Sequence, residues 1–162
     1  MGTSNRSGAV RPHGQPAGTK AQPASPTAVE YFDNNGNLRE ELVDAEAETE
    51  GKKLAEAKLR HTQLRRYYED VLNLRRRLEH ECANQPGSNE EEVFRKLRPE
   101  FKMLRAKAYY AHKRSSKIFP DAFKDFIERH VHSVQTAAQF RAFCQHFQAV
   151  VAFHRVYAKD SE

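Results

Sequence analysis

Residues 140–157 read FRAFCQHFQAVVAFHRVY. Phe140, Phe143, Phe147 and Val150 recur at steps of three and four, the spacing of one helical face. In a strand, apolar residues would return at every second position instead. Phe153 and Val156 fall off that stripe, so the segment is apolar on nearly every side. A helix of this kind is either central in a bundle or shared with another subunit. Thr136 stands where its cap should be. Beyond Gly87 the chain holds no glycine, and only Pro99 and Pro120 interrupt it. No segment alternates apolar and polar residues for long enough to make a strand. The expected fold is therefore all-α: a compact bundle of about five helices over residues 30–158, with a disordered N-terminal tail (residues 1–29) and a short C-terminal tail (residues 159–162).

Working back from that helix, a fourth opens at Pro120 and Asp121 and turns Phe123, Phe126, Ile127 and Val131 inward. The third is expected to start from Ser88, with Glu91 completing a capping box. Its apolar stripe is Phe94, Leu97, Phe101, Leu104, Ala108 and Ala111, and Pro99 should kink it or split off its first turn. The second runs from about Thr62 to Glu81, where Leu64, Tyr67, Val71, Leu74 and Leu78 form a packing seam. Before it, a short acidic helix is expected from Leu38 to about Glu50, stopped near Gly51, with Tyr31 and Phe32 anchoring the chain onto the bundle. Residues 1–29 hold four of the seven prolines and four of the seven glycines. They cannot bury enough apolar surface to offset the entropy of ordering.

Charge is distributed unevenly along the 162 residues. The total is +5, yet residues 1–29 carry +3 and residues 30–50 carry −7, which leaves +9 on residues 51–162. The third helix concentrates it. From Arg95 to Lys117 it holds nine lysines and arginines with Glu100 as the only acid. Arg98, Lys102, Arg105 and Tyr109 share one flank of the apolar stripe; Lys96, Lys107, Tyr110 and Arg114 share the other. A solvated helix face normally mixes signs, because like charges four residues apart repel. A single-sign surface with tyrosines interleaved fits phosphate contact with base or ribose stacking. The candidate RNA-binding residues are Arg98, Lys102, Arg105, Lys107, Tyr110, Lys113 and Arg114, together with Arg65 and Arg66 of the second helix.

Other chemistries find no pattern. His130-x-His132 and His80-x-Cys82 lack the spacing of a zinc knuckle or an HExxH helix, and His154 on an apolar face reads as a core histidine. No GxSxG, Walker loop or glycine-rich phosphate cradle is present, so neither a catalytic residue nor a cofactor is expected. No apolar run reaches the ~20 residues of a membrane span. With Cys82 and Cys144 as the only cysteines and no secretory signal, a cytoplasmic, reduced protein is the expectation.

Three stretches resemble a known family. LRHTQLRRYYEDV (59–71) is similar to the QLR-x-F/Y element that opens a long helix in the small subunit of type III-A CRISPR effectors, the Csm complex. LRAKAYYAHKR (104–114) resembles that family's L-K-P-K-L-A-Y-x-x-G-R stretch, with Lys107, Tyr110 and Arg114 at its Lys, Tyr and Arg. FRAFCQHFQAVVAFHRVY resembles its closing helix. Arg60, Ala106 and Lys113 depart from the pattern, where the family has Thr, Pro and Gly. The resemblance covers roughly residues 30–158. It implies a non-catalytic subunit, present in several copies, that lines the interior of the effector against its backbone and large subunits. Such a subunit runs along the paired guide RNA and target RNA, touching phosphate and ribose and leaving sequence recognition to the guide. The alternative reading is a stand-alone helical nucleic-acid-binding regulator, which would need a groove-reading helix; no helix-turn-helix spacing is evident.

Overall fold

The computed structural model describes residues 27–159. The N-terminal tail expected over residues 1–29 lies outside that range except for its last three residues, as do residues 160–162. Five α-helices follow one another: α1 Ala45–Glu56, α2 His61–Asn84, α3 Glu90–Arg114, α4 Asp121–Ser133 and α5 Ala137–Tyr157. A 3-10 turn, Glu40–Val43, precedes α1. The described residues contain no strand beyond the isolated bridge between Phe32 and Leu38.

The centre of the bundle is α5, which settles the first of the two readings of its all-round apolarity. Phe140 stacks on Phe94 of α3 at 5.2 Å between centroids, and Phe143 meets Phe101 of α3 at 5.7 Å. Phe147 meets Phe126 of α4 at 5.3 Å and Tyr68 of α2 at 5.4 Å. The last three pairs are edge-on and the first is stacked. Burial of each such ring stabilises the fold by about 1.5–3 kcal/mol. Of the two residues off the stripe, Phe153 packs partly buried against the core, whereas Val156 stays exposed. Thr136 does cap α5, in a reciprocal capping box with Gln139.

The acidic first helix differs from its expected extent. It begins at Ala45 and runs through Gly51 to Glu56. Gly51 breaks nothing; it is buried where α1 presses on α5. A Cβ there would lie 2.8 Å from the His154 amide nitrogen, 2.9 Å from the Phe153 Cβ and 3.0 Å from the Val150 carbonyl oxygen. Glycine permits this close approach of two backbones. The cap of α3 also moves by one residue. Asn89, not Ser88, accepts the Glu91 N–H at 3.0 Å. The Glu91 carboxylate is thereby free to accept the N–H of Ala137, at 2.8 Å, which ties the start of α3 to the start of α5. Pro99 sits exposed on the outer side of α3, and the helix continues through it.

Three buried histidines fasten the N-terminal third of the chain to the bundle. The Tyr31 hydroxyl and His130 Nδ1 share a hydrogen bond of 2.7 Å, and the Val29 N–H donates to Ser133 Oγ at 2.8 Å. His146 Nδ1–H donates to the Leu42 carbonyl, and His154 Nε2–H to the Leu59 carbonyl at 2.9 Å. His154 is thus a satisfied core histidine, as its apolar face predicts. Burial holds all three imidazoles below their ordinary range, so they sit neutral in the core.

Candidate nucleic-acid interface

The expected candidate residues lie mostly on α3, and packing divides them by flank. The flank carrying Arg98, Lys102, Arg105 and Tyr109 lies along α4. Lys102 Nζ donates to the carbonyls of Val131 and Val134 at the end of α4, the latter at 3.2 Å. Those carbonyls are orphans of a helix C-terminus, where the dipole favours a cation. Half-burial, with Arg98 beside it, lowers the Lys102 pKa. Arg98 donates to the Gln135 carbonyl at 3.3 Å. Arg105 forms an ion pair with Glu128 at 2.9 Å and lies 5.0 Å from the Tyr109 ring, and the Tyr109 hydroxyl donates to the same carboxylate at 2.6 Å. Burial opposes the ionised form of Glu128, but the Tyr109 and Arg105 hydrogen bonds still hold its carboxyl below the usual range.

The opposite flank lies along α2. Lys107 pairs with Asp70 at 3.2 Å, and Arg77 of α2 pairs with Glu100. These two pairs join α2 and α3 as antiparallel neighbours. Arg65 is tied to Glu69 at 3.5 Å on an exposed part of α2. Between the two flanks runs an open ridge: Met103 at 55% and Tyr110 at 69% exposure are large side chains left to solvent. Lys96, Lys113 and Arg114 of α3 and Arg66 of α2 are exposed as well. None of the four makes an ion pair among the described residues. The structure therefore leaves Arg66, Tyr110, Lys113 and Arg114 open to solvent, pairs Lys107 with Asp70, and turns Arg98, Lys102 and Arg105 toward α4.

A second basic feature escaped the sequence reading. At the end of the bundle where α1 stops and α2 starts, a cleft of about 1120 Å³ is lined by Lys58, Arg60, His61, Lys117, Arg155 and Lys159, with Glu56 its only acid among the described residues. Burial, then Arg155 and Arg65, push the His61 imidazole below its ordinary range. Its ring stacks on that of His154. These residues come from three separate stretches of the chain, so no local pattern announces them. The one local signal is a helix start at His61 with no acid in its first turn.

No group of three or more His, Cys, Asp or Glu among the described residues is placed to hold a metal ion. No helix among them is long and apolar enough to cross a membrane. Among known families, the one described as Csm2 Type III-A matches residues 37–160, which takes in every helix of the bundle. Neither the curated proteins nor the solved structures include a match.

Proposed function

We propose, given that the chain belongs to the Csm2 Type III-A family and is a small subunit of the type III-A CRISPR effector, that it binds the sugar–phosphate backbone of the guide–target RNA pair through the outer face of α3 and performs no chemistry itself. In this reading it works in the cytoplasm, lines the effector interior against the backbone and large subunits, and occurs in several copies. One observation carries the RNA assignment. Packing along α4 holds Arg98, Lys102 and Arg105 against oxygens of that helix and the turn after it, whereas Arg66, Lys96, Lys113 and Arg114 stay exposed with no ion pair among the described residues, and Tyr110 and Met103 of α3 are exposed as well. A surface of this kind offers point charges to phosphates and a ring to a ribose or an unstacked base. It carries no fixed set of donors and acceptors for reading base edges.

The test is RNA binding measured against salt concentration for the full chain and for a variant with Arg66, Lys96, Lys113 and Arg114 replaced by Glu. Each phosphate contact contributes roughly −0.7 to the salt slope on single strands and about −0.9 on B-form DNA. The variant is expected to lose affinity for all sequences alike and to show a flatter slope, with an unchanged melt. Unchanged affinity, or a loss confined to particular sequences, would overturn the assignment.

A further inference from the structure

An open cavity of about 400 Å³ lies where the 3-10 turn and α1 meet α4 and α5, within the size range of small-molecule sites. It uses none of the α3 surface to which RNA binding is assigned. Val29 and Leu42 give it apolar wall, and Glu41, Glu46, Glu50, Arg129, His130 and His146 supply its ionisable groups. Arg129, the cation among them, is engaged: it donates to Glu50 Oε2 at 3.0 Å. Arg39 stands outside the lining, where it holds Glu46 and reaches Glu41 only at 3.9 Å.

Two buried polar atoms of this lining have no hydrogen-bond partner among the described residues. Glu50 Oε1 is one, on a side chain only 12% exposed, and Lys53 Nζ stays outside hydrogen-bond reach at 4.0 Å. The other is Nε2 of His130, a residue 1% exposed whose Nδ1 is taken by the Tyr31 hydroxyl. Folded proteins rarely leave such atoms unpaired, because a buried donor or acceptor without a partner is destabilising, and a charged one more so. His146 adds a lone pair of its own. Its Nδ1–H donates to the Leu42 carbonyl, so Nε2 of the neutral ring is an acceptor. Burial lowers the His146 pKa, while the Leu42 hydrogen bond and the Glu50 and Glu46 carboxylates oppose that shift. The carboxylates thus impose a negative potential on the floor of the cavity. Acceptors under negative potential call for a cation that carries N–H donors.

We propose that this cavity binds an alkylammonium group, and that its ligand is a free aliphatic diamine. One ammonium donates to Glu50 Oε1 and to the histidine nitrogens, the methylenes lie along Val29 and Leu42, and the second ammonium meets Glu41 at the mouth. The lining selects this chemistry over its neighbours. A quaternary ammonium has the charge but no N–H for the unpaired acceptors. A metal ion finds no group of three or more His, Cys, Asp or Glu placed to hold it among the described residues. Glu46 and Glu50 stand one turn apart on the same face of α1, so negative charge runs from floor to mouth and matches two positive ends better than one. With the donor in place His130 accepts at Nε2, and its Nδ1–H donates to the Tyr31 oxygen. The bound diamine ties α1 to α4 and α5, adding to the contacts that fasten the N-terminal third of the chain.

The experiment is calorimetric titration of the full chain, freed of RNA, with putrescine near neutral pH, followed by thermal melts at matched ionic strength. Putrescine is expected to saturate one site per chain and to raise the melting temperature, as a ligand of the folded state must. Its fully N-methylated quaternary counterpart and magnesium are expected to do neither. Glu50→Gln removes the charged acceptor and should weaken binding by about tenfold or more. Glu50 also holds Arg129, so Thr49→Lys provides a second variant at an exposed position of the lining. There the new ammonium competes for the site, and the same loss is expected with an unchanged melt of the free protein. A lysine blocked at both its backbone ends, which stands in for the side chain of a partner protein, should bind more weakly than putrescine because it has one ammonium. Equal or tighter binding of the blocked lysine would give the site to a protein partner and overturn the diamine. Absence of saturable binding, equal binding of the quaternary compound, the same stabilisation by magnesium, or normal binding by the folded Thr49→Lys variant would each overturn the proposal.

Discussion

Replacing Gly51 with alanine tests the packing of α1 on α5 through a single methyl group. In an exposed helix interior this change would stabilise by about 1 kcal/mol, since alanine is the better helix former. Here the added carbon would sit 2.8–3.0 Å from three atoms of α5, two of them backbone. Ordinary carbon contacts lie near 3.5–4.0 Å. Backbone in the middle of a helix cannot swing aside as a side chain can, so α1 itself has to retreat by about half an ångström or more. That retreat loosens the contacts of Ala47 and Leu54, which are fully buried on the same face. Gaps of 0.5–1 Å forfeit roughly a quarter to a half of each contact, and overpacking of this kind costs typically about 1–3 kcal/mol. Set against the gain in propensity, the expected result is a net loss of up to about 2 kcal/mol. Urea unfolding followed by far-UV circular dichroism should show it as a lower midpoint with an unchanged slope. A midpoint equal to or above that of the unaltered protein would show that α1 slides freely on α5, and that close approach is not why glycine stands there.

Stability should fall with pH below about 6.5. The folded-state pKa values of His130, His146 and His154 are lowered, so the unfolded chain takes up protons that the folded one refuses. The stabilisation is then complete above the unfolded value of about 6.5 and declines below it, by up to about 1.4 kcal/mol per pH unit for each histidine. A denaturation midpoint that is flat between pH 7 and 5 would contradict this; the lowered carboxylates act only at more acid pH. Tyr31→Phe removes the hydroxyl bonded to His130 Nδ1 and should cost about 1–3 kcal/mol, because a buried ring nitrogen loses its hydrogen-bond partner; an unchanged melt would mean that the entering chain is not held there. Lys58→Gly should raise stability by about 1 kcal/mol by relieving the left-handed residue. Lower stability would show that the lysine side chain supports the fold.

Helices α2, α4 and α5 were legible because each buries one stripe, and a stripe repeats at the helical period. All of Leu64, Tyr67, Val71, Leu74 and Leu78 are buried, as are Phe123, Phe126, Ile127 and Val131. The extent of α1 was not legible. In sequence Gly51 looks like any helix-ending glycine, and what requires it is a second backbone about a hundred residues away. Glu91 misled for a related reason: its spacing fits a capping box with Ser88, but its carboxylate serves a different helix. The basic character of α3 could be read, and so could its division into two flanks. Which of its cations stay open could not, because Lys102 and Arg105 are indistinguishable in sequence from Lys113 and Arg114 until α4 lies beside them. The cleft at the bundle end was invisible, since Lys58, Arg60, Lys117 and Arg155 meet only in three dimensions.

The unequal fate of the two α3 flanks also bears on how substitutions there should be interpreted. A cation packed against another helix is partly desolvated, and it is tolerated only where oxygens replace its water. On the α4 side those oxygens are the Val131 and Val134 carbonyls for Lys102 and the Glu128 carboxylate for Arg105. Arg105 is balanced there by a carboxylate, and Arg98 and Lys102 are held with their donors turned onto backbone carbonyls. On the ridge side Lys113 and Arg114 have no such answer among the described residues, so their field extends into solvent and attracts polyanions. Loss of RNA binding on replacing Lys102 would therefore report first on the end of α4, and only a matching loss of stability would identify it as such. Loss on replacing Lys113 or Arg114 at constant stability has no such second route and locates the contact directly.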